Sequence, residues 1–134
     1  MSISDYFLKQ DEQRRSLMHA MHELIIKNDP TVTAAIGSMM GKEMIIYNDR
    51  GAFKYALAAV KDYMSLHLMP IYVDSKLRIR YMELLPGARF QKGCINFKDE
   101  TAMPLQIVAN LISDCSKIDM VAIREDYLKN KKKK

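Results

Sequence analysis

Residues 44–68, MIIYNDRGAFKYALAAVKDYMSLHL, decide the fold because they hold three strand-like runs separated by turn residues. The first run ends at Asn-Asp-Arg-Gly, residues 48–51, where glycine can supply the positive φ of a tight turn. The second run covers residues 52–60 and is followed by a turn at Lys61-Asp62. The stretch therefore predicts an antiparallel meander of three strands.

The third run of the meander predicts a strand with two different faces. Its apolar and polar residues alternate, which is the period of a half-buried strand. The apolar set is Met64, Leu66 and Leu68, and the polar set is Tyr63, Ser65 and His67. We expect the apolar set to face the core and the polar set to face away from it.

The segments around the meander are mostly helical in pattern. The clearest helix covers residues 12–28, where apolar residues such as Leu17, Met21 and Ile25 recur at three- and four-residue spacing. The other predicted elements are a helix near the N-terminus, a short helix at 31–36, a helix at 74–85, a strand at 94–97 and helices at 105–115 and 119–128. Helices before and after a run of strands predict an α+β domain with helices packed on an antiparallel sheet.

The charge of the chain is concentrated at its C-terminal end. The formal net charge of +5 equals the charge of the five lysines at positions 129 and 131–134, so residues 1–128 are neutral as a set. We predict a single domain at 1–128 and a disordered lysine-rich tail at 129–134. Since the basic charge lies in the tail, the sequence does not indicate a nucleic-acid-binding face.

The cysteines and the N-terminus indicate a protein of a reducing compartment. Cys94 and Cys115 form neither a C-x-x-C pair nor a disulfide framework, and the first residues have no signal-peptide pattern. No apolar run in the sequence is long enough to span a bilayer. We therefore expect a soluble cytoplasmic protein without a membrane partner.

Three segments resemble the bacterial YdhG-like family, a domain of unknown function. They are the Asp29-Pro30 turn, AAVKDYMSLHL at 58–68, and KGCINFKDETAMPLQIVANLI at 92–112. The resemblance implies an α+β fold with a curved antiparallel sheet. One branch of the family is described as frataxin-like, which implies an intracellular iron chaperone as one possible function.

The sequence offers two candidate sites. His19 and His22 have the i, i+3 spacing that can place two imidazoles on one metal ion, and they are the weak metal candidates. The other candidate is the polar face of the third strand, where Tyr63, Ser65 and His67 would bind a small ligand with Lys61 as its counter-charge. The alternative for that face is ordinary solvation, which is common on one side of an antiparallel sheet.

The sequence contains no motif for catalysis or cofactor binding. Neither cysteine has a histidine close to it in sequence, and there is no Gly-x-Ser-x-Gly and no glycine loop for phosphate. An iron-binding surface should show clustered carboxylates, and the nearest approach is Asp5, Asp11 and Glu12. We therefore assign no catalytic residue and no cofactor.

The sequence favours a binding module over an enzyme. We expect a module that binds a small molecule or a protein, with a frataxin-like iron chaperone as the first alternative. The second alternative is an enzyme of unknown reaction that uses the face of Lys61 and His67. An exposed edge of the meander, or the eleven methionines, would also allow a homodimer.

Overall fold

The computed structural model describes residues 2–132, with side chains described through Lys131. Its helices are α1 Ile3–Leu8, α2 Glu12–Asn28, α3 Met69–Val73, α4 Ser75–Leu84, α5 Leu105–Ser116 and α6 Met120–Lys132. Its strands are β1 Thr33–Met39, β2 Lys42–Asp49, β3 Ala52–Ala59, β4 Met64–Leu68, β5 Arg89–Phe90 and β6 Cys94–Phe97. The chain has an α+β fold with a curved antiparallel sheet, as the sequence predicts.

The six strands form one antiparallel sheet in the order β1-β2-β3-β4-β6-β5. The predicted meander is confirmed as β2, β3 and β4, which occupy the centre of this sheet. Because β1 pairs with β2 and β6 pairs with β4, the meander has no free edge. The expectation that an exposed edge of the meander supports a homodimer is therefore wrong, since the outermost strands are β1 and β5.

One face of the sheet forms one side of the hydrophobic core. A single row of apolar side chains crosses all six strands through directly opposed partners. The row consists of Ile36, Ile45, Leu57, Leu66, Ile95 and Phe90. Helices α1 to α5 cover this face with buried residues that include Phe7, Met18, Ile71, Tyr81 and Leu111. Met64, Leu66 and Leu68 belong to the same core, so the predicted inward set of β4 is confirmed.

A buried ion pair fixes the C-terminal end of α2 to β3. Asp29 caps α2, and its carboxylate lies 2.8 Å from the Lys54 ammonium, with both side chains almost fully buried. The Tyr55 hydroxyl donates to the same carboxylate at 2.6 Å. Lys54 reaches it from a bulge, because the register places Tyr55 opposite Tyr47 and Phe53 opposite Asn48 and leaves Lys54 without a partner on β2.

Strand β1 replaces the short helix predicted at 31–36. The helical prediction is wrong because every residue of β1 finds a partner on β2, from Thr33 with Asn48 to Met39 with Lys42. Gly37 fits inside this strand because a Cβ there would lie only 2.5 Å from the Ile46 side chain. Pairing with β2, which the local sequence pattern does not indicate, decides the conformation of this segment.

Helix α6 also departs from the prediction. It continues through Lys132, so residues 129–132 are helical rather than a disordered tail, and residues 133–134 lie outside the described residues. From Ala122 to Lys131 every residue of α6 is exposed, whereas Met120 and Val121 are buried. Only the first turn of α6 is therefore fixed to the domain by buried side chains.

Within residues 2–132, no helix is both long enough and apolar enough to cross a bilayer.

Candidate functional site

The sheet face opposite the core is the candidate site, and we call it the outer face. It carries a row of directly opposed residues that runs from Ala35 through Ile46, Ala56 and His67 to Cys94. The apolar cluster on this face contains strand residues alone among the described residues: Met44, Ala56 and Ala58, with Met39, Ile46 and Phe53 packed against them. Helices α1 to α5 contribute to the core cluster on the other side.

The outer face changes from apolar to polar across the sheet. On β2 and β3 it presents methionine, isoleucine and alanine, whereas on β4, β6 and β5 it presents polar side chains. The polar part contains a second row of opposed residues, in which Ser65 faces Asn96 and Asn96 faces Arg89. An amphipathic surface of this kind can bind a molecule through contacts of both types.

A cavity of about 140 Å³ lies where the apolar and polar parts meet, and we call it the small cavity. The predicted residues Tyr63, Ser65 and His67 all line it. Lys61 does not line it; Lys61 lies in the loop after β3, where its backbone carbonyl accepts a hydrogen bond from Arg14. The cation that lines the small cavity is Lys42 of β2, whereas Lys61, the predicted counter-charge, is not among its lining residues.

Hydrogen bonds inside the site fix the direction of its two amide groups. The Ser65 hydroxyl donates to Asn96 Oδ1 at 2.8 Å, and the Cys94 thiol donates to Gln91 Oε1 at 3.1 Å. The amide nitrogens of Asn96 and Gln91 make no hydrogen bond with other described residues. The site therefore offers N–H donors to a ligand, while each of its amide oxygens already accepts a hydrogen bond from a neighbouring side chain.

His67 and Cys94 face each other across β4 and β6 and are both uncharged at neutral pH. Burial lowers the pKa of His67 below its ordinary value of 6.5. Burial raises the pKa of the Cys94 thiol, an effect that a hydrogen bond with Ser65 partly opposes. The pair is thus a neutral imidazole beside a neutral thiol.

A second cavity of about 570 Å³ adjoins the first, and we call it the large cavity. The two cavities share Tyr63, Gln91 and Asn96 in their linings. The large cavity adds the cations Arg89 and Lys98 and extends to Thr101. A ligand that fills the small cavity can therefore continue into the large one.

The histidine pair of α2 has structural partners. The His22 ring forms a hydrogen bond with the Tyr47 hydroxyl at 2.7 Å, and His19 Nε2 lies 3.8 Å from Glu23 Oε1. Both rings stand edge-on to Phe7, with ring centroids 5.5 and 5.7 Å from its ring. Within residues 2–132 no group of three or more His, Cys, Asp or Glu side chains is placed to hold a metal ion.

Two of the three N-terminal carboxylates considered for an iron-binding surface, Asp5 and Asp11, serve as helix caps. Asp5 accepts the Ser2 backbone N–H in a capping box, and Asp11 accepts the Arg14 backbone N–H at the start of α2. Asp11 also lies 3.9 Å from the Arg14 guanidinium. Capping explains these acidic residues without a metal.

Sequence reasoning missed the half of the site that comes from β6 and the segment before it. The alternation of Cys94 and Asn96 with Ile95 and Phe97 is visible in the sequence and indicates one polar strand face. The chain between β4 and β6 contains α3 and α4, and no local signal shows that β6 returns to pair with β4. Predicting that the polar residues of β4 and β6 lie together therefore requires the strand order of the sheet as well as the alternation in the sequence.

Comparison with known proteins gave no match: no family model, no curated protein and no solved structure is similar to this chain. The YdhG-like resemblance stays a prediction based on the sequence segments quoted above.

Proposed function

We propose that this protein is a non-enzymatic binding module that holds a small ligand in the small cavity of the outer face. The observation that carries the proposal is the convergence of Ser65, His67 and Asn96, from two adjacent strands, on one concave site beside an apolar wall. A concave apolar site with a few convergent polar groups is the usual form of a ligand pocket. The amide donors and the neutral imidazole would orient the ligand.

The site favours binding over catalysis because its thiol and its imidazole are both in their uncharged forms. The Cys94 thiol donates to Gln91, and the pKa shifts of Cys94 and His67 both favour uncharged forms. A cysteine nucleophile normally needs a lowered thiol pKa or an adjacent base that removes the proton. Lys61 lines neither of the two cavities, which supports a site built around His67 without Lys61.

One experiment tests the proposal directly. A library of small polar fragments is added to ¹⁵N-labelled protein, and the amide shifts are mapped by NMR. We expect the shifts to cluster at Ser65, His67, Cys94 and Asn96, and His67→Ala to weaken the binding. The matched control is His19→Ala, because His19 is an exposed histidine on the opposite side of the fold. Shifts that cluster on the helices instead would contradict the proposal.

The register that pairs His67 with Cys94 favours one second candidate, an enzyme with a cysteine nucleophile and His67 as its base. This candidate predicts that iodoacetamide modifies Cys94 quickly at pH 6, and that His67→Gln removes the effect. The binding module predicts slow modification at pH 6, with a rate that rises only at the higher pH where a thiol of raised pKa loses its proton, in both the parent and the variant.

A further inference from the structure

We infer that the ligand of the outer face carries an anionic group, a carboxylate or a phosphate, held between Arg89 and Lys98 in the large cavity. This inference rests on the proposed function, because it assigns the chemical class of the ligand for the same site. It predicts an amphipathic anion whose apolar part occupies the small cavity.

The sheet places both cations beside the proposed site. Arg89 of β5 is directly opposite Asn96 of β6, and Lys98 is the next position after Asn96 in the same alternation. Both cations line the large cavity, which shares Asn96 with the small one. One molecule can therefore contact the cations and the Ser65 and His67 cluster together.

The hydrogen-bonding groups of the two cavities are mainly donors. The Asn96 and Gln91 amide oxygens already accept from Ser65 and Cys94, so their N–H₂ groups are what a ligand would meet. The Arg89 guanidinium and the Lys98 ammonium are donors without acceptor capacity. A site rich in N–H donors is complementary to the oxygens of a carboxylate or a phosphate.

The charge of the residues around the large cavity also favours an anionic ligand. Neither Arg89 nor Lys98 forms an ion pair with another residue of the described part of the chain. The acidic residue in the lining is Asp99, and one of its oxygens accepts the Ala102 backbone N–H. Lys42 adds a further cation at the small cavity. The net charge of these lining residues is positive, which favours an anion over a cation or a neutral molecule.

The other end of the ligand should be short and apolar. Met44, Ala58 and Val60 line the small cavity opposite its polar residues. At about 30 Å³ for each water-sized group, a volume of about 140 Å³ has room for roughly four or five non-hydrogen atoms. A short alkyl chain on an anionic head fits both cavities.

Three probes with the same chain test the inference: hexanoate, hexyl phosphate and hexan-1-ol. Binding is followed by the amide shifts of Ser65 and Asn96 in ¹⁵N-labelled protein. We expect at least one of the two anions to bind about tenfold more tightly than the alcohol. The tighter of the two anions identifies whether the head group is a carboxylate or a phosphate.

The variant Arg89→Gln, Lys98→Gln should lower the affinity for the anion to that of the alcohol. The control Lys76→Gln, Arg124→Gln makes the same change in net charge at exposed positions of α4 and α6 and should leave binding unchanged. Equal binding of all three probes, or anion binding that survives the cavity variant, would overturn the inference and leave the binding module intact. If none of the probes binds, the inference is also wrong, and the fragment library then decides separately whether the binding module stands.

Discussion

Leu66 and His67 are neighbours on β4 whose side chains have opposite environments. Leu66 is fully buried between Leu57 and Ile95 in the core row, whereas His67 is half-buried and lines the small cavity. Because successive residues of a strand point to opposite faces, substitutions at these two positions should have different effects.

We predict that Leu66→Ala lowers the free energy of unfolding by roughly 2–5 kcal/mol, through lost burial and a cavity in the core. His67→Ala should cost less than about 1 kcal/mol, because the imidazole is only half-buried and burial, without a hydrogen bond, is the cause of its lowered pKa. Urea denaturation of both variants measures the difference. Similar large losses for both would show that the outer face is part of the core.

The Asp29 and Lys54 pair predicts a pH-dependent stability. Burial alone would raise the pKa of Asp29, but hydrogen bonds from Lys54, Thr31 and Tyr55 outweigh it and lower the pKa below 3.8. A carboxylate with a lowered pKa contributes stability above its unfolded value, and that contribution is lost as the pH falls through the folded pKa.

Lys54→Met should therefore destabilise the protein by about 3–5 kcal/mol at pH 7, because it leaves a buried carboxylate without its cation. The penalty should shrink as the pH is lowered from 7, because without Lys54 the burial that raises the Asp29 pKa is less opposed and the carboxyl becomes neutral in the variant. Urea titrations at several pH values provide the measurement, with exposed Lys76→Met as the control. A loss of unfolding free energy that is constant from pH 7 to pH 3 would show that the Asp29 and Lys54 ion pair is not the cause of the destabilisation.

At the level of elements, α6 is the part of the fold least connected to the rest. Its side chains from Ala122 to Lys131 are exposed, and an isolated helix of this length gains little stability in water. Its first turn is different, because Met120 and Val121 are buried and Asp119 forms an ion pair with Arg50 at 2.9 Å.

We predict that deleting residues 129–134 changes the melting temperature by less than about 4 °C, the effect of roughly 1 kcal/mol in a domain of this size. The control deletion begins at Met120 and removes the buried first turn as well, so it should destabilise the protein clearly. Differential scanning calorimetry compares the two. A large loss on removing residues 129–134 alone would mean that the end of α6 docks onto the domain.

The elements with strong periodic patterns could be predicted from sequence, and those that depend on distant partners could not. Helix α2 and the meander carry clear 3.6- and 2-residue periods, so their positions agree with the prediction. Strand β1 and the two-residue β5 exist because of pairing with β2 and β6, and their own residues do not signal it. For the same reason Ser65 and His67 were predicted as candidates, while Asn96, Cys94 and Lys42 were not.

At the level of the whole molecule, the two faces of the sheet differ in what packs on them among the described residues. Helices α1 to α5 pack on the core side, and the cluster on the outer face consists of strand residues within the described part of the chain. One of the two cysteines lies on each side of the sheet. Cys115 of α5 is fully buried in the core, and Cys94 of β6 is partly exposed on the outer face.

The most direct test of an accessible site on the outer face is therefore the rate at which iodoacetamide modifies each cysteine in the native protein, followed by mass spectrometry at pH 8.5. We predict that Cys94 reacts while Cys115 stays unmodified, and that a fragment bound in the small cavity slows the reaction at Cys94. Cys94 as unreactive as Cys115 in the free protein would contradict the account, because it would show that the outer face is covered.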